Sequence, residues 1–139
     1  MRTQRLPLEE FLLIVWLGSL WTIGLLVAPL LFQLLPRADA GQVAGVLFQI
    51  GQSIAAGCAV ILLILRWWPT RLRWLLVTLL VLTLVNLAAV MPHLAALRGG
   101  AAQGEGAFAI WHGISGSLYL LQCIGGLALL WLRRSAANS

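Results

Sequence analysis

The sequence predicts an all-α integral membrane four-helix bundle, up-down-up-down, with both termini in the cytoplasm (N-in/C-in). Three observations lead there. Four apolar runs, residues 11–35, 43–65, 74–97 and 108–132, nearly fill the 139 residues. About 20 apolar residues are enough for a helix to cross the ~30 Å hydrocarbon layer of a bilayer. The composition agrees, at 61% hydrophobic and 9% charged, where soluble domains carry about 25% charged residues. The third observation is the placement of the arginines. If the four runs alternate in direction, Arg2, Arg5, Arg66, Arg71, Arg73, Arg133 and Arg134 fall on one side, and only Arg37 and Arg98 on the other. The positive-inside rule puts the richer side in the cytoplasm, and Glu9 and Glu10 weigh little in it. The net charge of +5 is thus read as topology. With the whole chain, 1–139, forming one transmembrane domain, no aqueous face is left for nucleic acid.

The first run is too long for the 7–15-residue apolar core of a signal peptide, and no small-residue cleavage pattern follows it. It reads as a retained span. Pro29, in its outer third, is expected to remove one backbone hydrogen bond and kink the helix. The short connection 36–41 makes the first two helices antiparallel neighbours. Asp39 is expected to accept backbone N–H bonds at the start of the second, where its charge also suits the helix dipole. Small residues four apart, Gly41 with Gly45 and Ser53 with Gly57, suit close helix packing in lipid. The second connection holds Trp67, Trp68, Pro69 and Thr70. Together with Trp74 and Trp131 these tryptophans predict a belt at the headgroup level. The third connection, Gly99 to Gly106, is expected to be the most mobile part of the chain. The fourth run repeats the small-residue spacing at Gly113 and Ser117, then at Gly125 and Gly126. Cys58 and Cys123 lie inside spans with no ligand-like spacing, so both read as small packing residues with no disulfide between them.

At 100° per residue, the polar residues of each span share one side. These are Ser19, Thr22, Pro29 and Gln33 in the first helix, and Gln42, Gln49, Gln52 and Ser53 in the second. Thr83, Asn86 and His93 follow in the third, and His112, Ser115, Tyr119, Gln122 and Cys123 in the fourth. Hydrocarbon cannot satisfy such groups, so the stripes are expected to face inward. By depth they gather in the outer half of the bundle. The expected pocket is Gln49, Gln52, Ser53, Asn86, His112, Ser115 and Tyr119. Two readings of it stand side by side. The groups hold the helices in register through bonds averaging ~0.6 kcal/mol, or they line a cavity for a neutral or cationic solute. No carboxylate lies in the outer half of a span, so a proton relay or ion pump has little to work with. No metal or cofactor is expected. The alternative is a transition metal or b-type haem on His93 and His112. No nucleophile–base pair or carboxylate dyad appears, so the chain does not read as an enzyme.

Two stretches resemble a known family. Trp21, Ala28-Pro29-Leu30-Leu31-Phe32, Leu35-Pro36-Arg37, Ala40-Gly41 and Gly45-Val46-Leu47-Phe48 are similar to the first half of a bacterial domain-of-unknown-function membrane family. That family is related to the eukaryotic transmembrane protein 205. Phe108-Ala109-Ile110-Trp111-His112-Gly113-Ile114-Ser115 is similar to its aromatic–x–x–x–His–Gly–[Leu/Ile]–Ser signature, to which His93 does not belong. The resemblance implies a four-span membrane protein without a settled biochemical activity. It also implies a link to tolerance of platinum drugs, and so to trafficking or export.

The resulting expectation is a multi-pass protein of the bacterial inner membrane, a structural or accessory component in contact with the lipid bilayer and with a membrane-protein partner or further copies of itself. The alternatives are a transporter or channel element for a small solute or metal ion, and a haem- or metal-binding redox protein.

Overall fold

A computed structural model describes residues 5–65, 68–99 and 105–137. The expectations placed on Arg2, Arg66 and Trp67, and on the mobility of 100–104, lie outside the described residues. Within them the chain forms four long helices and no strand. Helix α1 covers 5–34, α2 Arg37–Leu65, α3 70–99 and α4 Glu105–Ala137. All four are long and apolar enough to span a membrane.

The helices outrun the apolar runs, because helical pairing continues into polar sequence. Leu35 is extended (φ −120°, ψ 154°), the conformation favoured before a proline where the helix is free to end. The Ala40 N–H then bonds the Pro36 carbonyl at 2.9 Å, so α2 begins at Arg37 and not at 43. Asp39 therefore lies in the first turn of α2. It keeps its favourable place at the positive end of the dipole, three residues past the capping position held by Pro36.

Both helices with an internal proline carry a π turn just before it. In α1 the turn covers Thr22–Val27, and the Ala28 N–H reaches back to the Ile23 carbonyl. In α3 it covers Asn86–Val90, and the Met91 N–H reaches back to the Asn86 carbonyl. Pro29 and Pro92 follow at once. A proline cannot donate to the carbonyl four residues behind it. The chain meets that deficit by widening one turn, so the expected kink at Pro29 takes the form of a π turn. One extra residue in a turn rotates everything beyond it by about 100° relative to a continuous α-helix.

Neighbours in sequence are neighbours in space, and α4 returns to α1. That return is confined to one end. The segment Arg5–Trp21 packs on both α2 and α4, whereas Ala28–Leu34 packs on α2 alone among the other helices. The bundle has a closed end, where Leu65, Trp68 and the described chain-terminal ends of α1 and α4 lie, and an open end, where α1 has drawn away from α4.

The closed end is packed with large side chains. Leu13, Trp16, Leu20, Leu62, Leu76, Leu79 and Leu129 are almost wholly buried. Two glycines let α4 come close. A Cβ on Gly125 would stand 2.5 Å from Leu79 Cδ2, and one on Gly126 would collide with Leu17 Cδ2. Gly126→Leu is therefore expected to cost about 1–3 kcal/mol by overpacking. Gly57→Leu, where a Cβ meets nothing within 4 Å, should be close to neutral. Melting curves of the two variants in one detergent test this, and equal losses would contradict the packing.

Cys58 and Cys123 are buried and unpaired. Trp74 and Trp131 are exposed near the closed end, as a headgroup belt requires. Trp68 is the exception to the expected belt. It is 5% exposed, and its indole N–H donates to the Leu62 carbonyl at 2.8 Å. The last carbonyls of α2 lack partners within the helix, and that need draws the indole into the core.

An ion pair joins the first and last helices at this end. Arg133 lies 3.5 Å from Glu9 Oε2 and 3.7 Å from Glu10 Oε1. Glu9 is 2% exposed, whereas Glu10 stands in the open. In the sequence these residues spoke only to topology.

Candidate functional site

The open end encloses a cavity of about 880 Å3. This lies within the ~300–1,000 Å3 typical of small-molecule sites. Its rim carries Arg37 and Gln42 from the start of α2, Arg98 from the end of α3, Phe32 from α1 and Phe108 from α4. Its wall includes Phe48, Met91 and Leu94, and Gln52, Asn86, Ser115 and Tyr119 supply the polar groups within.

Each helix brings these groups in for a local reason. The inward face of α2 is its face of small residues, with Ala40, Ala44, Gly51, Ala55 and Ala59 buried. Gln52 shares that face. In α3 the π turn starts on Asn86, whose side chain is 1% exposed. Ser115 Oγ donates to Asn86 Oδ1 at 2.9 Å, which ties α4 to α3 across the cavity. One turn deeper, Thr83 Oγ1 donates to the Leu79 carbonyl at 2.8 Å and lies 3.2 Å from Gln122 Oε1.

Tyr119 crosses the bundle beneath the opening. Its hydroxyl donates to the Leu20 carbonyl just before the α1 π turn. Its ring fills the place of a side chain at Gly24, where a Cβ would stand 2.7 Å from Tyr119 Cε1. Phe48 meets the same ring edge-on, with centroids 5.1 Å apart. Gly24 thus has a definite purpose: any larger residue would push Tyr119 back into the cavity.

Gln52 is the unusual member. Its side chain is completely buried, and neither Nε2 nor Oε1 has a hydrogen-bond partner. Most buried polar groups in native proteins are paired, and an orphan costs about 1–3 kcal/mol. Here both the donor and the acceptor of a residue that lines the cavity lack a partner.

Five of the seven pocket residues expected from sequence, Gln52, Asn86, His112, Ser115 and Tyr119, line this cavity. Gln49 and Ser53 do not. Both are exposed on the outside of α2, and Ser53 Oγ donates to its own helix at the Gln49 carbonyl, 2.9 Å away. The expectation that every polar stripe faces inward also fails in α1, where Thr22, Pro29 and Gln33 are exposed. His112 is exposed at the cavity wall and stacks on Phe108, with centroids 5.8 Å apart and planes at 14°. His93 does not line the cavity. It packs against Trp111, with centroids 4.4 Å apart. The α3 π turn explains the separation, because it rotates His93 off the face that Asn86 occupies. Among the described residues no group of three or more His, Cys, Asp or Glu side chains gathers to hold a metal ion.

The sequence reading missed the rim. Arg37 and Arg98 were read only as minority charges in a topology argument, although both border the opening. Arg98 lies along Gly45, where its guanidinium occupies the space of a Cβ, and its Cζ stands 5.8 Å from the centre of the Phe108 ring. A glycine about two turns from the helix start and an arginine just before the third connection were the available signals.

The fold and cavity define a small multi-pass membrane protein with a polar-floored chamber at one end. The chain belongs to the family known as domain of unknown function DUF4149, which it matches over residues 11–103. That segment holds α1, α2 and α3, and the cavity residues of α4 lie beyond it. The match supports the resemblance to a domain-of-unknown-function membrane family and carries no tie to transmembrane protein 205. No curated protein and no solved structure matches the chain at a significant level.

Proposed function

We propose that this DUF4149 protein is a small accessory component of the bacterial inner membrane that holds a small ligand in the chamber at its open end. The observation that carries this reading is Gln52. It lines an 880 Å3 space, and its amide donor and acceptor are completely buried without a partner. A ligand with complementary groups would relieve that cost. The two π turns support the same reading, since such turns occur often at functional sites. One holds Gly24 beneath Tyr119 and the other begins on Asn86.

The arginine distribution supports an N-in/C-in orientation, with the chamber facing the periplasm. The proposed relation to transmembrane protein 205 rests on the stretches between Trp21 and Phe48 together with Phe108–Ser115, of which His112 and Ser115 line the chamber.

Native mass spectrometry of gently extracted protein tests the proposal. A Cβ at Gly116, on the cavity wall, meets nothing within 4 Å, so Gly116→Trp fills the chamber without displacing the backbone. The expected result is a small molecule retained by the wild type and lost from the variant at unchanged melting temperature. Equal retention by both, or none by the wild type, would overturn the proposal.

A further inference from the structure

We propose that the ligand is an anionic acyl lipid taken laterally from the membrane leaflet at the open end, a deepening that rests on the chamber being a binding site. Three observations combine. The first is the side opening. Ala28–Leu34 leaves α4 and packs on α2, so the chamber is bordered by exposed residues of both separated helices, Phe32 on α1 and His112 and Gly116 on α4. A cleft between two spanning helices opens to acyl chains and not only to water.

The second is charge. Arg37 and Arg98 are exposed and border the chamber. Among the described residues neither has a carboxylate within ion-pair distance. They lie at the ends of their helices, at the level of lipid headgroups. Arginine is the side chain best suited to phosphate and carboxylate. Two such cations on the side poor in basic residues are unexplained by topology.

The third is Gln52. Arg98 lies against Gly45, and Gln52 follows seven residues later on α2, about 10 Å deeper along the axis. The region of a lipid that joins headgroup to chains lies just below the charge. Its ester or amide carbonyl accepts from Gln52 Nε2, and a hydroxyl or amide N–H donates to Oε1. The anionic group then rests between the arginines, and the chains leave through the cleft past Gly116.

The test is lipid titration of the delipidated full chain in detergent, read by native mass spectrometry. The probes are phosphatidylglycerol, phosphatidylcholine and inorganic phosphate. The expected result is one phosphatidylglycerol per chain, bound at least tenfold more tightly than phosphatidylcholine. The double variant Arg37→Gln/Arg98→Gln should bring the two lipids within twofold of each other at unchanged melting temperature, and Gly116→Trp should remove both. Equal binding of the two lipids by the wild type would overturn the anionic class and leave the chamber a binding site. Competition by inorganic phosphate at similar concentration would show that the headgroup alone is recognised and overturn the lipid. Binding of no probe, with nothing retained on extraction, would overturn both this inference and the functional reading beneath it.

Discussion

Gln52→Leu is expected to make the empty protein more stable and its chamber unable to hold a ligand. The side chain is completely buried with both amide atoms unpartnered. Leucine has nearly the same volume and nothing to leave unsatisfied. The exchange removes a desolvation cost of about 1–3 kcal/mol, which for a chain of this size raises the melting temperature by several degrees. The same change removes the donor and acceptor that recognise the ligand. Stability and binding should therefore move in opposite directions, as they do where a protein keeps a strained group for function. Delipidated wild type and variant are compared by thermal unfolding, and their extracted forms by mass spectrometry. A lower melting temperature for the empty variant would mean that the Gln52 amide is already satisfied, and the central argument for a ligand would fall.

The largest loss of stability is expected from Glu9→Ala. Arg133 is 6% exposed, and Glu9 lies 3.5 Å from it with almost no exposure of its own. Removing one member of a buried pair costs about 3–5 kcal/mol, and Glu10, still beside the guanidinium, sets Glu9→Ala at the lower end of that range. Glu10 reaches the same guanidinium at 3.7 Å from a half-exposed position. Glu10→Ala should cost under about 1 kcal/mol, because solvent already screens that contact. Glu9→Ala/Arg133→Leu should recover much of the loss, since an apolar pair of similar volume often replaces a buried ion pair without penalty. Unfolding in a denaturing detergent resolves the series. Equal effects of Glu9→Ala and Glu10→Ala would show that burial does not set the strength of the contact.

The four spans were legible because the requirement that makes them is crude. A bilayer asks for length and greasiness, and hydropathy reports both. Which way each helix turns was less legible. The expectation assumed that every hydroxyl and amide needs an inward partner. Serine escapes that rule by bonding its own helix: Ser19 to the Trp16 carbonyl and Ser117 to that of Gly113, each within 2.9 Å. Such residues carry little information about facing. In α2 the buried face was marked by alanine and glycine, and Gln52 was inside because it shares their side. Gln49 and Ser53, about 60° and 100° around the axis from it, were not.

The second difficulty is that a constant 100° per residue holds only for an uninterrupted α-helix. Each π turn resets the count, so Asn86 and His93 look aligned in sequence and are not aligned in space. Pro29 and Pro92 marked where the count would fail. The ion pair of Arg133 with Glu9 and the chamber rim of Arg37 and Arg98 depend on which helix ends meet. Local sequence says nothing about that until the packing of α1 against α4 is known.

The leucines and Trp16 that pack the closed end have one more consequence. Among the described residues they fill the interior of that end, while the chamber lies at the other. On the reading proposed above the protein works as a cup. A ligand that enters at the brim then leaves by the brim, unless the packed base itself comes apart.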